Sequence, residues 1–401
     1  MPAAQLNIAE QLIAIAGNQY VRLNEDTILV SPANTQQVSE VLRLANENRL
    51  TVTPIGGGTK LSWGSPTQTN IRLDLTRLNR IIEHPWQDLT CTVQAGCTWQ
   101  QLEQTLAKHG QFVALDPLWT EQATVGGILA TNDSGSLRHR YGSLRDLVIG
   151  MTLVLADGTI ARSGGKVVKN VAGYDLCKLV TGSFGTLAVI TEATFRLHPL
   201  PQHTQTFTVS APQAAKFAPL MVTIRASHLL TLALQLRGDT NGFHLDIQLN
   251  AHPEAHQNEI LRKMTETAGL KLDAGLNETW QARESLFLNR DVFVVKIGML
   301  PTAVAKTVDD VVRLGGAAVA QGLGVIYAAF PNLERNYSPL ASLYAYTDTG
   351  SMTLLQIPSN PHDDPMPPGG PHKPNPLMQA VKHQFDPNRI MNPGGLLLGG
   401  L

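Results

Sequence analysis

Only three of the 401 residues are cysteine, and Cys91, Cys97 and Cys177 are scattered along the chain. An odd, dispersed trio builds no disulfide framework. Iron–sulfur clusters need four closely spaced thiolates, so this chain supplies none of its own, and each cysteine reads as a small buried hydrophobe. Neither sign of charge dominates: 31 lysines and arginines stand against 32 acids. Net charge therefore gives no broad polyanion-binding surface and no nucleic-acid partner. No stretch approaches the ~18 apolar residues of a membrane-spanning helix. Met1 to Gly17 lacks a basic start, and Glu10 and its glutamines interrupt the apolar run a signal peptide requires. These absences point to a cytoplasmic protein that reaches a membrane only through a partner. The length leaves room for two or three domains, each with its own core.

What the chain does have is glycine in the right places. Pro54-Ile55-Gly56-Gly57-Gly58-Thr59-Lys60 follows the apolar run Leu50 to Thr53, which reads as a buried strand. Contiguous glycines let the backbone take φ > 0 and approach a ligand closely. Successive free N–H groups in such a turn form an anion-binding concavity suited to a pyrophosphate. A second segment, Thr124-Val125-Gly126-Gly127-Ile128, leads into Asn132-Asp133-Ser134-Gly135 and Tyr141-Gly142-Ser143. Two such loops imply one long dinucleotide lying across a domain.

A nicotinamide-binding Rossmann loop is the rival reading, and it fits poorly. That fingerprint places G-x-G-x-x-G at the opening of a helix. Here the glycines are contiguous, and Gly64 and Pro66 block a helix directly after them. Asp74, at the right distance for a ribose acid, lies in Ile71 to Leu75, a strand ending in a turn.

Val38, Val41, Leu42 and Ala45 follow i, i+3, i+4, i+7 and predict a one-sided helix, with Asn34 and Gln37 as its capping pair. Ile28 to Val30 before it and Leu50 to Thr53 after it complete a β-α-β unit. A second helix runs from Thr98, with Gln101 as capping partner, to a stop at Gly110. Asp157-Gly158 marks a hairpin. The glycine motifs end near Pro199-Leu200-Pro201. Beyond them, strands over Leu230–Arg237, Phe243–Leu249 and Val292–Gly298 alternate with helices over Ala255–Ala268 and Ala303–Leu314. Pro358 to Pro376 reads as a Pro-rich loop.

Taken in order, Pro54 to Thr59, Ala123 to Gly127, Tyr141 to Asp146, Lys169 to Leu176, Gly182 to Glu192 and Phe385 to Gly394 resemble the FAD-linked oxidases of the vanillyl-alcohol oxidase type. The resemblance implies an α/β (α+β) chain. Its PCMH-type FAD-binding domain of two subdomains covers 1–203, and a cap or substrate domain, an antiparallel sheet with flanking helices, covers 204–357. The loop 358–376 follows, and 377–401 returns to the FAD domain. The cofactor is FAD. Its implied contacts are Pro54, Gly56, Gly57, Gly58 and Thr59 at the pyrophosphate, Thr124, Gly126, Gly127, Ser134 and Gly135 near the ribityl and ring, and Gly185 and Ile190 on the ribityl-adenine side. Gly142 and Asn392 belong to the same set; Tyr141 is either a contact or an ordinary packed aromatic. Relatives with covalent flavin place histidine at the third residue of the first turn. Gly58 stands there, so FAD is held noncovalently.

Ala172-Gly173-Tyr174-Asp175 and the modest length are most similar to the FAD-binding E subunits of glycolate oxidases. That likeness implies a small 2-hydroxy-acid substrate, a paralogous FAD-containing catalytic subunit and an iron–sulfur subunit as partners. Hydroxy-acid-oxidising relatives carry a histidine-rich motif in the cap. The nearest equivalent, Gly322 to Ala328, has no histidine, so no catalytic residue is assigned and turnover by this chain alone stays open, as do a self-sufficient flavoenzyme and an FAD-binding scaffold. His252 and His256 are read as a surface helix start rather than a metal pair, Lys60 as solvated, and Arg283 and Lys296 as surface ion pairs ahead of carboxylate ligands.

Overall fold

Asn34 turns the chain from strand into helix: its side chain accepts the Gln37 N–H at 2.9 Å, while Gln37 accepts the Ala33 N–H at 2.7 Å. The helix Thr35–Glu47 then buries Val38, Val41, Leu42 and Ala45 on the predicted stripe. The strands on either side, Ile28–Val30 and Val52–Ile55, are both parallel to Ile71–Asp74, which lies between them. The β-α-β unit is therefore present, with a third strand interposed. Asp74 closes that strand by accepting Ser31 Oγ and the Thr76 N–H, both at 2.9 Å, which is turn chemistry rather than ribose binding.

The computed structural model describes residues 3–24, 26–63, 68–165, 174–250, 254–331, 343, 350–358 and 376–393. Gly64, Pro66, Lys169 to Gly173, His252, the loop residues 359–375 and Gly394 lie outside them. The chain divides into two compact units, Met1–Asp133 with Ser143–Leu200 and His372–Leu401, and Ser134–Gly142 with Pro201–Pro371.

The first unit pairs the small sheet above with a five-stranded antiparallel one, ordered Ile81–Glu83, Thr90–Gln94, Ala188–Arg196, Val148–Leu155, Ile160–Gly164. Asp157 and Gly158 join the last two strands, with Gly158 at φ +84° as the turn requires. Thr98 caps the helix Trp99–Ala107 through the Gln101 N–H. The three cysteines are buried and free, and burial pushes the Cys91 thiol up to about 12 and Cys97 up to about 11. Among the described residues no helix is long and apolar enough to cross a membrane.

Glu103 sits on the Trp99–Ala107 helix and accepts Trp99 Nε1–H at 2.9 Å. Burial, aided by the Asp116 charge and opposed by the Trp99 hydrogen bond, raises its carboxyl to about 7. A raised folded value means the folded chain binds this proton more tightly than the unfolded one. Its stabilisation is complete below the ordinary carboxylate range and is lost as pH climbs to about 7. Glu103→Gln is expected to exceed the parent by roughly 1–2 kcal/mol at pH 8, partial exposure holding the gain down, with the difference shrinking toward pH 5. Thermal melts across that range check it.

The second unit is built on one eight-stranded antiparallel sheet. Its order is Leu272–Ala274, Thr204–Ala211, Gly242–Asn250, Thr231–Asp239, Ala317–Gln321, Val325–Pro331, Val292–Gly298, Ser351–Gln356. Direct partners Gln235–Gln321, Arg237–Val319, Val319–Tyr327 and Tyr327–Lys296 place Gln235, Arg237, Gln321, Tyr327 and Lys296 on one face. The opposite face carries Leu234, Leu236 and Gly238. A Cβ on Gly238 would stand 2.9 Å from Val308 of the helix Val304–Arg313, so that helix lies directly on the sheet.

Candidate functional site

The strand Val52–Ile55 delivers the chain into Gly56, Gly57 and Gly58, and the reason for glycine is visible at each step. A Cβ on Gly56 would fall 2.0 Å from Thr124 Oγ1, and one on Gly57 would fall 1.7 Å from the Gln122 carbonyl oxygen. Gly58 turns at φ +73°. The two glycine segments are thus pressed against each other. Thr124 is buried and caps the helix Val125–Thr131 by accepting the Gly127 N–H. Gly126 lies on Ala95, whose Cβ would be 2.9 Å from a side chain there.

These segments wall a cleft of about 280 Å³. Pro54, Gly56, Gly57, Gly58, Thr59, Thr124, Gly126, Gly127, Gly185, Ile190 and Asn392 all line it. Ser134, Gly135, Tyr141 and Gly142 do not; they belong to the second unit, where Tyr141 ends a helical turn packed on the strand Thr231–Asp239. The N–H groups of Gly56, Gly57, Gly58 and Thr59 meet no acceptor among the described residues. The charged side chains lining the cleft are Lys60 and Arg72, with no carboxylate among the lining residues. Open N–H groups, two cations and apolar walls at Leu75, Ala95 and Val189 fit an anionic diphosphate joined to flat ring systems.

The far wall is tied down by the C-terminal segment. Asn392 Nδ2 donates to the Phe184 carbonyl at 2.7 Å, and Asn392 N–H donates to Val52 at 2.8 Å. Gly185, at φ +70°, sits against the ring of Pro54. Lys382 Nζ donates to the carbonyls of Thr186 and Met391, both at 2.7 Å, and to Asp386 at 2.6 Å.

Lys60 corrects the sequence reading. Its side chain is 5% exposed, not solvated, and its ammonium stands 3.1 Å from Asp133. It also lies 5.6 Å and 5.2 Å from the ring centroids of Trp63 and Trp119. Asp133 additionally accepts the Leu118 N–H at 2.9 Å. Arg72 was missed as well. Period-2 alternation would have found it, since it pairs with Thr53 and points away from the buried Ile71 and Leu73.

In the second unit Arg283 lies inside the fold rather than on its surface. It is 6% exposed and donates to the Ser134 carbonyl, with its guanidinium carbon 5.3 Å from the Tyr327 ring centroid. Lys296 Nζ lies 5.7 Å from the same ring. Gly322 and Gly324 form the turn between Gln321 and Val325, where the histidine-rich motif was sought. Among the described residues no group of three His, Cys, Asp or Glu side chains gathers as a metal site.

Residues 27–164 match the family model of an FAD binding domain. The chain is 39% identical over 179 residues to glycolate oxidase subunit GlcD of Bacillus subtilis, a match covering 44% of this chain and 38% of that protein. It is 30% identical over 304 residues to a D-lactate dehydrogenase of Anaerostipes hadrus, covering 70% of this chain and 63% of that one. The chain thus spans less than two thirds of either relative's length. The solved structure of p-cresol methylhydroxylase superposes with a TM-score of 0.73 at 15% identity, over 98% of this chain and 97% of that one. The chain thus carries an FAD binding domain over residues 27–164 and shares the fold of p-cresol methylhydroxylase. It binds FAD.

Proposed function

We propose that this chain is the FAD-binding subunit of a 2-hydroxy-acid dehydrogenase that oxidises glycolate to glyoxylate and passes the electrons to a partner chain. The carrying observation is the cleft in which Gly56 and Gly57 press on the Gln122–Thr124 segment, leaving a row of open N–H groups beside Lys60 and Arg72. In this reading Gly56 to Thr59 hold the diphosphate, Thr124, Gly126 and Gly127 border the ribityl and ring, and Gly185, Ile190 and Asn392 flank the remainder. FAD, held noncovalently past Gly58, supplies two-electron acceptance that no amino-acid side chain offers. The chain has only three cysteines, all buried, fewer than the four thiolates a cluster needs, so an iron–sulfur acceptor belongs to another polypeptide. A paralogous flavin subunit completes the assembly.

The relatives include both a glycolate oxidase subunit and D-lactate dehydrogenases, so D-lactate is the competing substrate. Expression alone and with the genes of candidate partners separates the readings. The chain alone is expected to purify yellow but to reduce dye slowly with either acid. Co-expression is expected to raise glycolate-driven reduction at least tenfold over D-lactate-driven reduction. A colourless chain that takes up no FAD refutes the cofactor assignment, and faster turnover of D-lactate refutes glycolate.

A further inference from the structure

A buried ion pair stands at the wall of the cleft, where two apolar side chains would serve stability as well. The Lys60 ammonium meets Asp133 at 3.1 Å, with 5% of one side chain and none of the other exposed. Taking both charges out of water costs nearly what their attraction returns, so such a pair is poor stabilisation. The fold nonetheless goes further to hold the ammonium there. Trp63 and Trp119 flank it, with ring centroids at 5.6 and 5.2 Å, and meet each other edge-on. Trp119 does so at φ +56°, a left-handed backbone that costs free energy in a bulky residue and marks a functional demand. The pair is also polarised: Lys60 and Trp63 line the cleft, and Asp133 does not. Its positive pole therefore faces the cofactor from among buried aromatic rings, where a charge is screened little.

The cleft's other cation lies elsewhere. Arg72 is exposed and pairs with Thr53, whose hydroxyl donates to Asn392 Oδ1 at 3.2 Å, at the end given above to the adenine side. Lys60 stands by Trp63 and, through Asp133, by the end of the helix Val125–Thr131, whose Gly126 and Gly127 border the ring. We propose that Lys60 balances the charge that FAD gains on reduction and so sets the reduction potential of the bound cofactor. A hydride delivered to FAD brings two electrons and one proton, and with them one negative charge. The donor acid, oxidised by the same two electrons, releases its hydroxyl proton to solvent. An ammonium facing the ring is attracted to the new charge and favours the reduced form. The open N–H groups of Gly56 to Thr59 face a diphosphate whose charge is the same before and after, so they leave the potential alone. This assignment rests on the ring position given above and not on which acid is oxidised.

Redox titration of the full-length, FAD-loaded chain with dithionite and a reference dye reads the potential without any substrate. Lys60→Met combined with Asp133→Asn removes the dipole and strands no charge. Its midpoint is expected about 30 mV below the parent's, a tenfold shift of the two-electron equilibrium. By linkage, this double variant should bind oxidised FAD as the parent does and reduced FAD about tenfold more weakly. Lys60→Arg, which keeps the charge, should keep the parent's midpoint. Asp133→Asn alone leaves the ammonium uncompensated and should raise the midpoint, which decides the matter if the double variant holds no FAD. A midpoint unmoved in the double variant, or not raised in Asp133→Asn, overturns the assignment, whatever happens to the melting temperature. So does an equal loss of affinity for oxidised and reduced FAD, which would make Lys60 a diphosphate ligand. Failure to turn over glycolate bears on the substrate reading alone, since no acid enters this titration.

Discussion

Gly57→Ala should give a protein that purifies without yellow colour. The new Cβ would lie 1.7 Å from the Gln122 carbonyl oxygen and 2.8 Å from its carbon, closer than any real methyl approaches backbone. The Gln122 segment has little freedom to retreat. The N–H groups of Gln122 and Ala123 both donate to the Trp119 carbonyl, at 3.0 and 2.7 Å, and the Ala123 carbonyl accepts the Trp99 N–H at 2.9 Å. The clash must therefore move the glycine turn, the side whose N–H groups are open. Overpacking of this kind costs about 1–3 kcal/mol in stability. The loss in binding is larger, because displaced N–H groups forfeit charge-assisted bonds to phosphate worth ~1.5–3 kcal/mol each. Two such bonds correspond to a rise in FAD Kd of more than ~100-fold. Gly58→Ala separates clash from strain. A Cβ there meets only Leu61 at 3.7 Å, and its cost is the φ of +73° alone, about 1–2 kcal/mol. Fluorescence titration of FAD against both variants measures the contrast. Equal affinities for parent and Gly57→Ala would remove the close approach of the two glycine segments from the account of FAD binding.

The contrast between these glycines explains how much of the site could be read in advance. A contiguous glycine run after an apolar strand carries its own meaning, because only a turn or a close approach requires it. The caps at Asn34 and Thr98 and the turn at Asp157-Gly158 are equally local, and they stand as read. What failed was non-local. Ile71–Asp74 enters between two strands that sequence order makes neighbours, and nothing within either strand says so. Lys60 looks solvated until folding brings up Asp133, Trp63 and Trp119 around it. Arg283 looks like a surface charge because the carbonyl of Ser134, to which it donates, has no side-chain signature. Ala317–Gln321 escaped notice because alanine is a weak strand former and the strand is dictated by its neighbours. Ser134 to Gly142 follow the second glycine segment directly but belong with the other unit, a division that local pattern does not encode.

Lys382→Met should be the most destabilising exposed-looking substitution in the chain, since lysine late in a terminal helix would ordinarily be solvated. Here the residue is 5% exposed, and its ammonium satisfies two carbonyls and the fully buried Asp386. Asp386 in turn accepts the N–H groups of Ile390 and Met391, at 3.0 and 2.8 Å. Ile390 and Asn392 then bond to Val52, so this one ion pair anchors the C-terminal segment beside the cleft. Removing one partner of a buried pair leaves the other charge uncompensated, at about 3–5 kcal/mol. Replacing both, as Lys382→Met with Asp386→Leu, should recover part of the loss while leaving the Ile390 and Met391 N–H groups unmet. FAD affinity should fall with stability in the single variant, because Asn392 lines the cleft.

The pH dependence gives an independent sign. Burial lowers the Lys382 pKa below the ordinary 10.5, with the Asp386 bond and charge opposing the shift. Between the lowered value and 10.5 the unfolded chain binds more proton than the folded one, so this residue's contribution rises with pH across that window. The parent should show that alkaline gain relative to Lys382→Met, read as a widening gap between their melting temperatures as pH rises toward 10.5. A gap that narrows there, or a single variant as stable as the parent at neutral pH, would mean that Lys382 does not hold the C-terminal segment in place.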